Sequence, residues 1–178
     1  AAMPVALHGN VGGSQIAETT IQGTAGQKLL VEVEAQRLGG ALRPVVHLYD
    51  AKRRQIAWSW NMPAPSGDTR LEATLSEAGS YTIALHDSEY GTPGPGFYRM
   101  KIGQWSYIDR TFPSVIAAGQ PAALELLGLY PAPKLDLPAA SAPGVLPLGW
   151  PGDALWSGPR PWVNVNPQPE LVEQPVTT

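Results

Sequence analysis

Four acidic residues stand where the chain is expected to turn or where a strand is expected to end. Carboxylate oxygens at such positions are the ligands that calcium prefers, and it usually takes about six to eight oxygens. The candidate calcium ligands are Asp50, Asp68, Asp87 and Glu89. The alternative for each is a structural role, because acidic side chains at turns also accept hydrogen bonds from backbone N–H groups.

Three aromatic residues indicate a second kind of site. Trp58 and Trp60 are two positions apart in a short apolar segment, so in a strand they share one face with each other, and Tyr49 ends the preceding segment. Aromatic rings of this kind form platforms for a sugar ring or a Pro-rich peptide. The alternative is that this face is core, or is covered by the later segment that carries Trp150 and Trp156.

No constellation for catalysis is visible. The three histidines, His8, His47 and His86, are isolated in the sequence, without a partner at metal or triad spacing. Ser80 follows a glycine but lacks the Gly-x-Ser-x-Gly pattern of a nucleophile, and no phosphate loop is present. We predict a protein that is not an enzyme and that has no cofactor apart from the candidate calcium.

Composition narrows the class of partner. The chain has 178 residues, 15% of them charged, a net charge of −3 and no cysteine. Nucleic acids and anionic membranes bind proteins that have a cluster of basic residues on one face. Such a cluster is not expected here, since the one basic run, residues 52–54, is predicted at a hairpin tip. No apolar run is long enough to insert into a membrane. The absence of cysteine excludes disulfides and thiolate metal sites.

Alternation of apolar and polar residues predicts many short strands. The clearest case comes after Gly79, where Tyr81, Ile83 and Leu85 alternate with Thr82, Ala84 and His86. Strands are predicted at residues 4–7, 15–24, 28–36, 44–49, 55–60, 69–75, 79–87 and 97–102. Gly and Pro number 19 each, as expected for strands joined by turns. The fold prediction is all-β, an antiparallel β-sandwich of jelly-roll type.

The composition changes after Gly103. Two further strands are predicted at residues 107–112 and 122–127, and a final short one at 162–165. Between them, residues 131–161 contain eight prolines and four glycines. Because proline cannot donate to a strand ladder, this Pro-rich C-terminal extension is expected to be extended or irregular, and its apolar residues indicate that it docks on another surface.

Four segments in order resemble the bacterial pre-peptidase C-terminal (PPC) domain. Residues 25–39 (AGQKLLVEVEAQRLG) resemble its A-G-Q-x-L-x-x-E-V-x-A-x-R-L-G run, and residues 42–50 (LRPVVHLYD) with 54–57 (RQIA) resemble its D-P-x-L-x-L-x-D-x-x-G-x-x-L-A segment. Residues 78–83 (AGSYTI) and 98–103 (YRMKIG) are similar to its A-G-x-Y-x-V and Y-R-L-x-I-G motifs. The Arg-Leu-Gly form is like copies in large exported proteins of planctomycete-type bacteria.

The later segments resemble the modules that often come after a PPC copy. Residues 107–113 (YIDRTFP) and 124–128 (LELLG) resemble the opening of an immunoglobulin-like TIG module, and residues 169–175 (PELVEQP) are similar to the head of a further PPC copy. The resemblance implies a PPC-like sandwich at 1–103 and the first TIG-like strands at 104–130. The Pro-rich segment with its short strand would occupy 131–166, and a linker towards a further module would occupy 167–178.

The family also implies a location and a role. Its members are exported, so the expected location is extracytoplasmic: periplasmic, at the cell surface or secreted. The expected function is non-catalytic binding, spacing or assembly beside other domains or subunits. The alternative is an accessory domain of a secreted enzyme such as a peptidase, with a polysaccharide or an extracellular protein as ligand. Some relatives bind calcium through acidic clusters, whereas here Glu18 is the one acidic residue between Gln15 and Ile21.

Overall fold

The computed structural model describes residues 2–63, 66–91, 94–129 and 134–173. The all-β prediction is confirmed, since 54% of the described residues lie in strands and 2% in helix. The chain divides into two compact units, Ala1–Trp105 and Ser106–Thr178. Residues 64–65 and 92–93, which come between predicted strands, residues 130–133 and the predicted linker from 174 onward lie outside the described residues. No helix among the described residues has the length and apolar character needed to span a membrane.

The first unit is a β-sandwich of two four-stranded antiparallel sheets. Its strands are β1 Val5–Asn10, β2 Ile16–Gly23, β3 Lys28–Glu34, β4 Pro44–Tyr49, β5 Gln55–Trp60, β6 Thr69–Thr74, β7 Gly79–Asp87 and β8 Phe97–Gly103. One sheet has the order β1-β8-β3-β6 and the other β2-β7-β4-β5. A short 3-10 helix, Gln36–Leu38, comes after β3.

One core lies between these two sheets. Tyr81, Ile83 and Leu85 of β7 are buried in it against residues of the other sheet, among them Val31 and Val33. The period of two along β7 therefore predicted its inward face correctly. Each fully buried side chain of this kind stabilises the fold by about 1.5–3 kcal/mol.

The outward positions of β3 and β8 carry charged side chains that are buried. Alternation along these strands places Glu32, Glu34 and Lys101 on the face away from the core, but their exposures are 0%, 8% and 5%. They are buried by one another and by the 3-10 helix, because Arg37 places a guanidinium nitrogen 2.7 Å from Glu32 and Lys101 donates to Glu34 at 3.0 Å. The Lys101 ammonium also lies 5.6 Å from the ring centroid of Trp105.

The second unit contains two further sheets. Its strands are β9 Ser106–Phe112, β10 Val115–Ala117, β11 Ala122–Leu129, β12 Lys134–Leu137, β13 Gly144–Pro147, β14 Trp156–Ser157 and β15 Trp162–Asn166. The sheet orders are β12-β11-β9-β14 and β10-β15-β13. Two pairings, β10 with β15 and β14 with β9, are parallel, which the prediction of antiparallel sheets did not include.

The Pro-rich segment is more regular than predicted. It contributes β12, β13 and β14, because its prolines fall at strand ends: Pro138 follows β12 and Pro147 is the last residue of β13. Its apolar side chains dock on the core formed by β9, β10, β11 and β15. They include Leu135, Leu137, Leu146, Trp150 and Trp156. The predicted segments 104–130 and 131–166 therefore share one core.

Candidate functional site

The outer face of the sheet β2-β7-β4-β5 carries a group of rings that we call the aromatic face. Its members are His47, Tyr49, Trp58, Trp60, His86 and Tyr90. Strand pairing brings them together, because His47 lies opposite Trp58 and Val45 lies opposite Trp60. A shift of register after Leu48 then places Tyr49 opposite Gln55.

The structure gathers all three sequence-predicted aromatic residues on this face. The exposed fractions of Trp58 and Trp60 are 55% and 59%, and their ring centroids are 6.3 Å apart. The alternative that these tryptophans belong to the core is wrong. Trp150 and Trp156, the predicted cover, stack on each other at 5.1 Å within the second unit.

Sequence reasoning missed the histidines at the centre of the face. The His47 ring lies 5.9 Å from Tyr49 and 6.3 Å from Trp58, with planes within 19° of parallel. Its Nε2 atom is 3.0 Å from Nε2 of His86. The interpretation of these histidines as isolated is therefore wrong: β4 pairs with β7 so that Val45 lies opposite His86, and the two imidazoles become diagonal neighbours.

Tyr90, which lies just beyond β7, completes the group. Its ring lies 4.5 Å from that of His86 with planes within 7° of parallel, and 49% of the residue is exposed. The sequence held a signal for His47 and His86, because both occupy outward positions in the alternation of apolar and polar residues along their strands. Tyr90 lies in a loop and had no such signal.

The polar side chains of this face bind one another. Gln55 Oε1 is 2.6 Å from His47 Nδ1, and Arg53 donates to Glu18 at 2.8 Å. This hydrogen bond and the charge of Arg53 hold the pKa of Glu18 below its ordinary value. The Arg53 guanidinium also lies 5.3 Å from the centroid of the Tyr49 ring. Such a surface can bind a partner through its rings.

Two of the predicted calcium ligands stabilise local backbone. Asp68 is fully buried and accepts hydrogen bonds from the N–H groups of Ala35 at 2.9 Å and Gln36 at 2.7 Å. Asp50 accepts from the backbone of Lys52 and Arg54, each at 2.9 Å. The backbone hydrogen bond from Arg54, followed by its side chain, holds the pKa of Asp50 below its ordinary value.

The other two lie together at a loop. Asp87 accepts from the N–H groups of Arg43 and Glu89, both at 3.0 Å, and Glu89 forms an ion pair with Arg43. Asp87 lies opposite Pro44 at the start of β4, whereas Asp50 comes after the end of that strand. Within the described ranges, no three His, Cys, Asp or Glu residues gather into a group that could hold a metal. The calcium site stays a prediction.

No family model matches the chain, and no curated protein matches it. The resemblance to PPC and TIG modules therefore stays a prediction from the sequence motifs.

Proposed function

We propose that this chain is a non-catalytic binding module whose aromatic face is covered by another protein domain or subunit. The observation that carries the proposal is the exposure of Trp58 and Trp60, each more than half, beside Tyr49 and Tyr90. Tryptophan and tyrosine are enriched at the centres of protein interfaces, where each removes a large apolar area from water. An exposed cluster of this kind marks an interaction surface.

The state of the polar groups favours a protein partner over a polysaccharide. Recognition of sugar hydroxyls needs well-placed donors and acceptors around the rings. Here Gln55 is engaged with His47, Arg53 with Glu18, and His86 Nδ1 with the carbonyl oxygen of Asp87 at 2.8 Å. Such internally bound groups suit contact with a surface that is mainly apolar.

The jelly-roll and PPC parts of the fold prediction belong to the same proposal. The jelly roll is supported by the strand pairs β1/β8, β2/β7, β3/β6 and β4/β5. A jelly roll has this pairing, because it is one long antiparallel hairpin rolled into two sheets. In this proposal the second unit is a connecting, TIG-like module of a larger extracytoplasmic protein. The PPC-like motifs of the sequence support export. The partner in this proposal is a neighbouring module or subunit.

Loss of binding on removal of the tryptophans tests the proposed function. The tag-free chain, a Trp58→Ala/Trp60→Ala variant and a Leu171→Ala/Val172→Ala control are immobilised and exposed to the envelope fraction of the source cells. The control removes side chains that are 95% and 44% exposed but lie outside the aromatic face. We expect a defined protein that the wild type and the control retain and that the tryptophan variant loses.

A parallel assay separates the polysaccharide alternative. The same three proteins are incubated with cellulose, chitin and xylan, and tryptophan fluorescence and the bound fraction are measured. Tryptophan-dependent binding to a polysaccharide, without a retained protein, would replace the proposed function by that of an accessory polymer-binding domain. Equal retention of the partner by all three proteins would show that the aromatic face does not bind it.

A further inference from the structure

We propose that His47 and His86 form a binding site for a divalent transition-metal ion of the class that takes imidazole ligands, namely Zn²⁺, Ni²⁺ or Cu²⁺. The inference goes beyond the proposed function, since a metal can be held here without a protein partner. It begins with the approach of the two rings. Their Nε2 atoms are 3.0 Å apart, whereas the ring centroids are 5.1 Å apart with planes within 17° of parallel. The imidazoles therefore meet through their nitrogen edges and not through their faces.

The second nitrogen of each ring determines what the first can do. His47 Nδ1 lies 2.6 Å from Gln55 Oε1, and His86 Nδ1 lies 2.8 Å from the carbonyl oxygen of Asp87. Amide and carbonyl oxygens accept hydrogen bonds only, so each Nδ1 carries the proton in this arrangement. When both rings are neutral, the two Nε2 lone pairs then share the same space, where a metal ion can take the place of the proton in the hydrogen bond between the rings.

The arrangement matches the chemistry of metal-ligating histidines. A histidine that binds a metal through one nitrogen typically donates its other N–H to a carbonyl oxygen or a carboxylate, which fixes the tautomer and the ring orientation. Two zinc–nitrogen bonds of about 2.0–2.1 Å in a tetrahedral arrangement would separate the nitrogens by about 3.3 Å. A small rotation of either side chain from the present separation is enough to reach that distance.

Neighbouring rings hold both imidazoles in place. The His86 ring packs against Tyr90, and the His47 ring lies beside Tyr49 and Trp58. The Tyr90 hydroxyl is 3.4 Å from His86 Nε2, so an oxygen donor lies close to the converging nitrogens. Two imidazole ligands leave positions for water or for a donor from outside the chain.

Metal titration of the full tag-free chain tests the inference. Ni²⁺ and Cu²⁺ are added while tryptophan fluorescence is followed, because Trp58 lies next to His47, and Zn²⁺ is titrated by calorimetry. We expect one saturable site, reversed by a chelator. His47→Ala and His86→Ala should each weaken binding at least about tenfold, whereas His8→Ala, in the other sheet, should bind as the wild type does.

Gln55 offers a test that does not remove a ligand. Gln55→Glu keeps an acceptor at His47 Nδ1 and adds a negative charge, so it should tighten binding, and Gln55→Leu should weaken it by about 10-fold or more. Circular dichroism and thermal melting confirm that each variant folds. Equal affinity of the wild type and both folded histidine variants, or no saturable binding by the wild type, would overturn the site. Trp60→Ala should leave metal binding unchanged while weakening the binding of a protein partner. The metal site and the proposed function can therefore be rejected independently of each other.

Discussion

The two outer faces of the first unit reverse the usual relation between residue type and exposure. On the sheet β1-β8-β3-β6, charged side chains are buried: Glu32, Arg70 and Lys101 are no more than 6% exposed. On the sheet β2-β7-β4-β5, Trp58 and Trp60 are more than half exposed. Both faces belong to strands of the same sandwich and obey the same period of two.

The two faces differ in how their outward side chains lower their free energy. Burying charges is costly unless they are paired and hydrogen-bonded, and on the first face Glu32 and Glu34 are met by Arg37, Lys101 and Arg99. This network completes itself within the unit. The exposed tryptophans lower their free energy when another surface covers them. The charged face is therefore interpreted as structural, whereas the proposed function assigns the contact with a partner to the aromatic face.

The largest expected effect concerns Asp68, on the charged side. Asp68→Ala should lower the free energy of unfolding by about 3–5 kcal/mol, because it removes the buried partner of the Arg37 Nε atom and leaves two backbone N–H groups without an acceptor. Chemical denaturation measures it, with exposed Asp153→Ala as the control. A calcium-dependent stability that the wild type shows and the variant lacks would instead support the predicted calcium site.

The next effect separates binding from stability on the aromatic face. Trp58→Ala should weaken partner binding by about 2 kcal/mol or more, as truncation of a central interface tryptophan does. Its free energy of unfolding should change by only about 0.5 kcal/mol, as for other exposed positions. Binding by calorimetry and unfolding by denaturant give the two values. A loss of stability as large as that of Asp68→Ala would show that the tryptophan supports the fold.

Acid should weaken the charged face selectively. Burial alone raises the pKa of Glu34, but the hydrogen bond from Lys101 and the charges of Lys101, Arg37 and Arg99 together hold it below its ordinary value. Because this pKa is lower in the folded state, its stabilisation is present above the ordinary glutamate pKa and is lost as the pH falls through the folded value.

Denaturant midpoints measured from neutral pH into the acid range test this dependence. Glu34→Gln should flatten the acid limb of the stability curve, whereas Glu77→Gln, at an exposed position, should leave it unchanged. An unchanged acid limb in Glu34→Gln would show that other carboxylates govern the loss of stability.

The smallest effect is expected at the rim of the aromatic face. Arg53→Ala removes the hydrogen bond to Glu18 and the contact with the Tyr49 ring, both of which are exposed to solvent. Thermal stability should not change measurably, because exposed ion pairs contribute little. The pKa of Glu18 should rise towards its ordinary value, which an NMR titration of its carboxyl carbon measures. A clear drop in melting temperature would mean that this pair orders the face.

Local patterns in the sequence were sufficient for the strands and for part of the site. The strands predicted at 44–49, 55–60 and 79–87 have these bounds in the structure, because alternation along one strand is a local property. The same alternation placed Trp58 and Trp60 on one face. The short strands β12, β13 and β14 escaped prediction, because segments of two to four residues beside prolines carry too little pattern.

Contacts between residues far apart in the chain could be learned only from the three-dimensional fold. Which face of β5 points outward depends on the sheet it joins, and alternation alone assigns no direction. The contact of His47 with His86, 39 residues later, depends on the register of β4 against β7. The burial of Glu32 depends on Arg37 and Lys101 arriving from other elements. Local sequence thus determined the strands and their two-sided pattern, whereas strand pairing determined which rings share the outer face and which imidazoles meet.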